Sequence, residues 1–164
     1  MSMILYLRRV SDDDIADLQA NPERTGDFFF AERAQQDGDL IDFDKAWQAL
    51  HFTLTGAEYA TDDPLGAMLN EGEQVGEDLG YGRPWVITAD RMKAFHEALS
   101  GISDDEIGAR YSPSEMVKND IYIADAFESE PEEGLAYLLQ GVPALRQFAA
   151  KCASSGSSAL VAIS

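Results

Sequence analysis

The sequence predicts an α+β fold: a single domain over residues 1–164 in which a small sheet, including N- and C-terminal strands, packs against several helices. Three observations predict it. Residues 3–9 are apolar on both alternating faces until two arginines, as in a central strand. Residues 159–163 form a second apolar strand, which we expect to pair with the first. Between them, apolar residues recur at helical spacing in several segments.

The first helix is indicated by its capping residues. Ser11 precedes three aspartates at 12–14, and a serine cap followed by acidic residues is typical of a helix N-terminus. These aspartates lack the ligand spacing and turn glycine of a calcium loop. The Asn21-Pro22 step is expected to end the helix. Three phenylalanines at 28–30 are then expected to enter the core.

The clearest helix pattern covers residues 40–56, LIDFDKAWQALHFTLTG. Asp42 is expected to cap its N-terminus, and Gly56 to supply a left-handed stop. Its large apolar residues share one stripe: Phe43, Trp47, Leu50 and Leu54. Asp44 and His51 border that stripe about 10 Å apart along the axis, so only a ligand or another segment could bridge them. The structural alternative is a first-turn carboxylate and a hydrogen-bonded histidine at the core edge.

Residues 57–84 form the longest segment without periodicity, and long irregular segments in compact domains often carry function. The segment ends in a glycine-flanked bend at 80–84, GYGRP, which leads into a strand at 85–88. The bend fits neither the dinucleotide fingerprint nor the P-loop, although Arg83 could hold an anion there. The structural alternative is a tight turn with a buried Tyr81 and Arg83 paired to a nearby acid.

The second half of the chain predicts helices followed by the last strand. Start and stop signals predict four helices: from Thr88 to Gly101, from Ser103 to about Tyr111, from the acidic run at 128–133 to Gly141, and from Pro143 to residues 154–156. Residues 113–119 are expected to hold one further short helix. Cys152 lies on an apolar helical face, which predicts a buried thiol.

The charge balance excludes some partners. A formal net charge of −18 repels phosphate, which disfavours nucleic acid and anionic membranes and suits a basic protein partner or simple solubility. One cysteine allows no intramolecular disulfide, and no segment resembles a secretory signal or a membrane span. These features predict a cytoplasmic protein and specify no oligomeric state.

Motifs for catalysis and metal binding are missing. The chain has no Gly-x-Ser-x-Gly elbow, and its two histidines and one cysteine are too dispersed for a zinc site. Acidic residues are so abundant that no acid/base pair can be chosen among them. We therefore predict no metal site and no cofactor, and we favour a non-enzymatic protein.

Several local patterns together carry a family resemblance. They are Met3-Ile4, DFDKAW at 42–47, LHF at 50–52, Thr55-Gly56, GYGRP at 80–84 and the final helix and strand. On these the chain resembles the YfbM-like family of small bacterial proteins, a domain of unknown function. It departs from the family where Tyr122-Ile123 and Phe127 replace a Tyr-Pro step and a tryptophan. The resemblance implies a bacterial cytoplasmic α+β domain and supplies no catalytic residues. More loosely, the chain resembles the immunity partners of bacterial toxins.

Two functional hypotheses follow. The first is a non-enzymatic, acidic interaction domain, for example an immunity-type protein that neutralises a basic partner. The second is a small-molecule or anion site, or an enzyme, where the bend meets the central helix. Its pocket residues would be Asp44, Trp47, His51, Tyr81 and Arg83, with aromatic walls, a titratable imidazole and an anion clamp.

Overall fold

The computed structural model describes residues 2–164 and places four strands in one antiparallel sheet. The strands are β1 (Leu5–Val10), β2 (Leu40–Asp42), β3 (Trp85–Ile87) and β4 (Ser158–Ile163), in the order β2-β1-β4-β3. The first and last strands pair along their whole length, from Leu5 opposite Ile163 to Val10 opposite Ser158. The predicted α+β class and the pairing of the terminal strands are confirmed.

Ten α-helices lie within residues 2–164. They are α1 (Asp12–Ala20), α2 (Thr25–Phe29), α3 (Glu32–Gln36), α4 (Trp47–Thr55), α5 (Ala89–Ser100), α6 (Asp104–Arg110), α7 (Pro113–Lys118), α8 (Ala124–Ser129), α9 (Pro131–Gln140) and α10 (Val142–Ser155). The predicted caps at Ser11, Thr88 and Ser103 are confirmed, because each side chain accepts a hydrogen bond from the first turn of its helix.

The sheet is covered on both faces, since alternate residues of β4 enter two different clusters. Ala159 and Val161 pack with α4, α5 and α10 in the larger cluster. Leu160 and Ala162 face α1 to α3, where Phe29 is fully buried. Its neighbour Phe30 stays 39% exposed, so only part of the phenylalanine run belongs to the core.

The predicted start of the central helix is wrong. Residues 40–42 pair with β1, so Asp42 belongs to a strand and not to a helix cap. Its carboxylate accepts the amide of Asp44 at 2.9 Å, and Asp44 adopts a left-handed φ of 47° that no helix continues. Helix α4 therefore begins at Trp47, and Asp44 is not a first-turn residue. Its predicted end is confirmed, with Gly56 at φ 75°.

The irregular segment before β3 contains one short 3₁₀ helix, Pro64–Leu69, and then covers the edge of the sheet. The amide of Val86 donates to Glu73, and the amide of Val75 donates to Pro84. An otherwise open strand edge is thus closed by the chain's own backbone. At the turn that follows, Gly76 has φ 80° and faces the buried Thr25.

Gly76→Ala is expected to lower the free energy of unfolding by about 2 kcal/mol. The backbone conformation at Gly76 disfavours any L side chain by about 1–2 kcal/mol, and a new methyl group would overlap the hydroxyl of Thr25. Gly38→Ala is the matched control, because Gly38 has φ 73° but nothing within 4 Å of the added carbon. Urea unfolding of both variants checks the prediction, and equal losses would contradict the role of the Thr25 contact.

Candidate functional site

The structure does not bring the five predicted site residues together. Trp47 and His51 are buried in α4, at 2% and 0% exposure, and Asp44 lies on the surface before that helix. Tyr81 and Arg83 lie in the bend, whose neighbour Leu79 packs in the cluster on the other face of the sheet. Because α4 belongs to the first face, the central helix and the bend do not form a common pocket.

The bend is held by the end of β4 and by its own backbone. The amide of Tyr81 donates to the carbonyl of Ile163, and Gly80 lies against Ser164. The guanidinium Nε of Arg83 donates to the carbonyl of Gly76 at 2.7 Å. The tight turn was predicted, but Arg83 binds a backbone oxygen instead of an acid, and Tyr81 is 39% exposed instead of buried.

His51 is sealed beneath the irregular segment. Its Nε2 lies 2.6 Å from the carbonyl of Tyr59, so Nε2 carries the proton, while Nδ1 is buried without a hydrogen-bond partner. Burial lowers the pKa of His51, against raising effects from the Tyr59 carbonyl and from Asp63. The ring is therefore a neutral core group and is not open to a ligand.

Acidification below about pH 6.5 is expected to destabilise the fold through His51. Below this pH the imidazole of the unfolded chain binds a proton, whereas the buried imidazole of the native protein stays neutral because its pKa is lowered. The free energy of unfolding therefore falls as the pH drops, by up to about 1.4 kcal/mol per pH unit. His51→Gln should remove this part of the slope, whereas His96→Gln should retain it. Urea unfolding from pH 7 to pH 5 checks the prediction, and identical slopes in both variants would contradict it.

A groove with two cavities lies elsewhere, on either side of Tyr137, and we call it the Tyr137 groove. The first cavity, of about 230 Å³, is lined by Asp42, Phe43, Asp44, Ala46, Leu50, Tyr137, Leu138, Gln140, Gly141 and Ala144. The second, of about 240 Å³, is lined by Ile123, Ala126, Phe127, Glu130, Glu133, Gly134 and Tyr137. Each cavity combines apolar walls with two exposed carboxylates. Asp44 is the one predicted site residue in this groove.

Tyr137 is fixed in the wall between the two cavities. Its hydroxyl donates to a carboxylate oxygen of Asp44 at 2.7 Å and accepts the amide of Lys45 at 3.0 Å. Burial and the adjacent Asp44 raise the pKa of Tyr137 to about 12, so the hydroxyl keeps its proton. The ring also packs against Phe127, with centroids 6.2 Å apart. These contacts hold the carboxylate of Asp44 in place at the rim.

The second cavity has an acidic rim at the junction of α8 and α9. Glu130 and Glu133 lie one turn apart, and both are exposed. The hydrogen bond and negative charge of Glu130 raise the pKa of Glu133, because the two like charges repel each other. A cation placed at this rim would relieve that repulsion.

Few acidic side chains of the described residues lie within ion-pair distance of a lysine or arginine. The six ion pairs within residues 2–164 use only five of the 30 acidic residues. The guanidinium groups of Arg83, Arg91 and Arg110 donate to backbone carbonyls instead, and that of Arg146 donates to a carbonyl in addition to its ion pair. None of the four carboxylates of the Tyr137 groove belongs to an ion pair in this part of the chain.

Other chemistry has little geometric support. Burial raises the pKa of the Cys152 thiol to about 12, which leaves it protonated and unreactive near neutral pH. Residues 2–164 contain no group of three or more His, Cys, Asp or Glu side chains placed to hold a metal ion. In the same range, no helix is both long enough and apolar enough to cross a bilayer.

Comparisons with known proteins place the chain in a family. A family model described as "Domain of unknown function (DUF1877)" matches residues 1–162. The chain belongs to this family. The DUF1877 domain shares its fold with the crystal structure of a protein of unknown function, YfbM from Escherichia coli, at TM-score 0.69 and 20% identity. The match covers 98% of this chain and 99% of that one, and at such identity it shows the fold alone. No protein with a curated description matches the chain.

These results confirm the YfbM-like resemblance seen in the sequence. The Tyr137 groove of this DUF1877 domain, however, was not predicted from the sequence. In the sequence, the acidic run at 128–133 predicts only the start of a helix. One signal could have found the second cavity: Glu130, Glu133 and Tyr137 recur at helical spacing and so share a face. The first cavity joins residues 42–46 to the end of α9, a contact that no local pattern predicts.

Proposed function

We propose that this protein is a non-enzymatic binding domain whose acidic surface holds a basic protein partner. The observation that carries the proposal is the imbalance of charge: the ion pairs within residues 2–164 involve only five of the 30 acidic residues, and several arginines donate to backbone carbonyls instead. A net charge of −18 makes the compact state repel itself, and a basic partner would relieve that repulsion.

A surface of this kind supports fast, salt-dependent association. Long-range attraction raises the rate of encounter with an oppositely charged protein, and dissolved salt screens it. The specific form that we propose is an immunity-type role in the bacterial cytoplasm, in which the domain covers a basic toxin and so neutralises it. The looser resemblance to immunity proteins favours this form.

The alternative function, a small-molecule site or an enzyme at the bend, has less support. It needs His51 and Arg83 to face one space, whereas His51 contacts Tyr59 beneath one surface and Arg83 holds Gly76 beside another. The geometry of the described residues therefore favours protein binding.

Capture of a partner at two salt concentrations tests the proposal. The immobilised full chain is incubated with bacterial lysate at about 0.05 M and about 0.15 M NaCl, and bound proteins are identified by mass spectrometry. Each candidate is then purified, and its Kd is measured by calorimetry. We expect one stoichiometric partner with a basic isoelectric point, whose Kd rises with salt.

The controls separate specific binding from general attraction to negative charge. A sulfonated resin of matched charge removes lysate proteins that bind any anion, and hen lysozyme serves as an unrelated basic protein. A stoichiometric partner that is neutral or acidic, a Kd indifferent to salt, or no specific partner at either concentration would each overturn the proposal.

A further inference from the structure

We propose that the Tyr137 groove is the docking site for a basic segment of the partner, with one lysine or arginine side chain inserted into each cavity. This inference rests on the proposed function and deepens it, because it assigns the contact surface and the chemistry of the residues that enter it. The occupant follows from three properties of the groove: the shape of its walls, the charge of its rim and the position of Tyr137.

The walls suit the stem of a long cationic side chain. In the second cavity the apolar lining residues are Ile123, Ala126 and Phe127, of which Ile123 and Ala126 are partly exposed. In the first cavity the apolar lining residues include Phe43 and Leu50. Lysine and arginine carry apolar stems that pack on such surfaces while their charged ends stay near water.

The rim supplies complementary charge at both ends. Asp42 and Asp44 border the first cavity, and Glu130 and Glu133 border the second. No lysine or arginine of the described chain neutralises any of the four. A pair of carboxylates can receive a guanidinium or ammonium group through charge-assisted hydrogen bonds. The groove thus presents two negative sites joined by one surface.

Tyr137 sets the spacing of the two sites. Its ring stands between the cavities, so the two cations of the partner would approach it from opposite sides and gain attraction from the ring. Because its hydroxyl already binds Asp44, the wall is arranged before the partner arrives. Less ordering is then needed on binding, which favours affinity.

A small cation tests the groove without any partner. The probe is n-butylguanidinium, which reproduces an arginine head and stem, titrated into the ¹⁵N-labelled full chain. We expect amide shifts centred on Gly134, Tyr137 and Gly141. The controls are guanidinium, which lacks the stem, and 1-butanol, which lacks the charge; both should bind more weakly. Equal binding of butanol would indicate a site for apolar ligands and would overturn the proposal.

Charge-matched variants locate the binding. Glu130→Gln with Glu133→Gln removes the rim of the second cavity, whereas Glu128→Gln with Glu132→Gln makes the same change in charge at neighbouring positions outside the cavity. We expect the first double variant to weaken both the probe and the captured partner by roughly threefold or more, and the second by clearly less. All four positions are exposed, so both variants should fold.

The outcomes separate this inference from the proposed function. If a basic partner binds and both double variants weaken its binding equally, the groove is not its docking site, and the proposed function of the acidic surface is retained. If the probe binds the groove but no basic partner exists, the proposed function fails, and the assignment of the partner's contact surface fails with it. Self-association of the full chain that only the Glu130→Gln, Glu133→Gln variant abolishes would identify a second copy as the occupant and overturn the inference.

Discussion

Replacing Trp47 with alanine is expected to lower the free energy of unfolding by about 3–5 kcal/mol, a large part of the roughly 5–15 kcal/mol that stabilises a domain. The ring is 2% exposed, packs against Tyr122 with centroids 5.8 Å apart, and donates from Nε1 to the carbonyl of Met3 at 3.0 Å. The hydroxyl of Tyr122 accepts the amide of Met3 at 3.1 Å. Loss of Trp47 thus opens a cavity and removes one of the hydrogen bonds that hold the segment before β1.

Trp47→Phe separates packing from hydrogen bonding. It retains most of the ring but leaves the carbonyl of Met3 without its donor, so we expect a smaller loss, of about 1–3 kcal/mol. Urea unfolding followed by circular dichroism measures both variants without relying on tryptophan emission. A loss below about 1 kcal/mol for Trp47→Ala would show that α4 does not anchor the core as described.

Asp39→Ala is the second large effect, with an expected loss of about 2–4 kcal/mol. The carboxylate of Asp39 receives Nε of Arg9 at 2.7 Å and Nζ of Lys151 at 2.6 Å, so it joins β1 to α10. Its side chain is 15% exposed, and removing it leaves two cations without their shared anion. The loss therefore lies between that of an exposed pair and that of a buried one.

The pH dependence of this effect provides its control. Burial alone would raise the pKa of Asp39, but the hydrogen bonds and charges of Arg9 and Lys151 outweigh it and lower that pKa. The stabilisation is thus fully present above the unfolded value of about 3.9 and is lost as pH falls through the native one. The difference in stability between wild type and Asp39→Asn should shrink from pH 7 to pH 3. A constant difference would contradict the assignment.

Much of the fold could be predicted from local signals. The terminal strands were visible as apolar runs, and helices α1, α5 and α6 were visible through their serine or threonine caps. The start of α4 could not be predicted in this way, because residues 40–42 pair with β1 as a strand instead of extending the helix. That choice depends on a distant strand, so the local capping signal of Asp42 was misleading.

The candidate site was harder to predict for the same physical reason. The groove depends on the hydrogen bond between Tyr137 and Asp44, which are 93 positions apart in the chain. The predicted pocket residues have chemistry suited to binding, but Trp47 and His51 are buried in the core, and Arg83 stabilises a turn. Sequence patterns identified which segments were unusual, and packing decided which of them share a surface.

The pairing of β1 with β4 has a consequence for synthesis. These two strands form the middle of the sheet, and one is made at the beginning of the described chain and the other at its end. During translation β1 can pair with β2, yet its main partner is absent until residues 158–163 leave the ribosome. The sheet should therefore close only after β4 has emerged, and until then the nascent chain would expose Leu5 and Leu7 to chaperones.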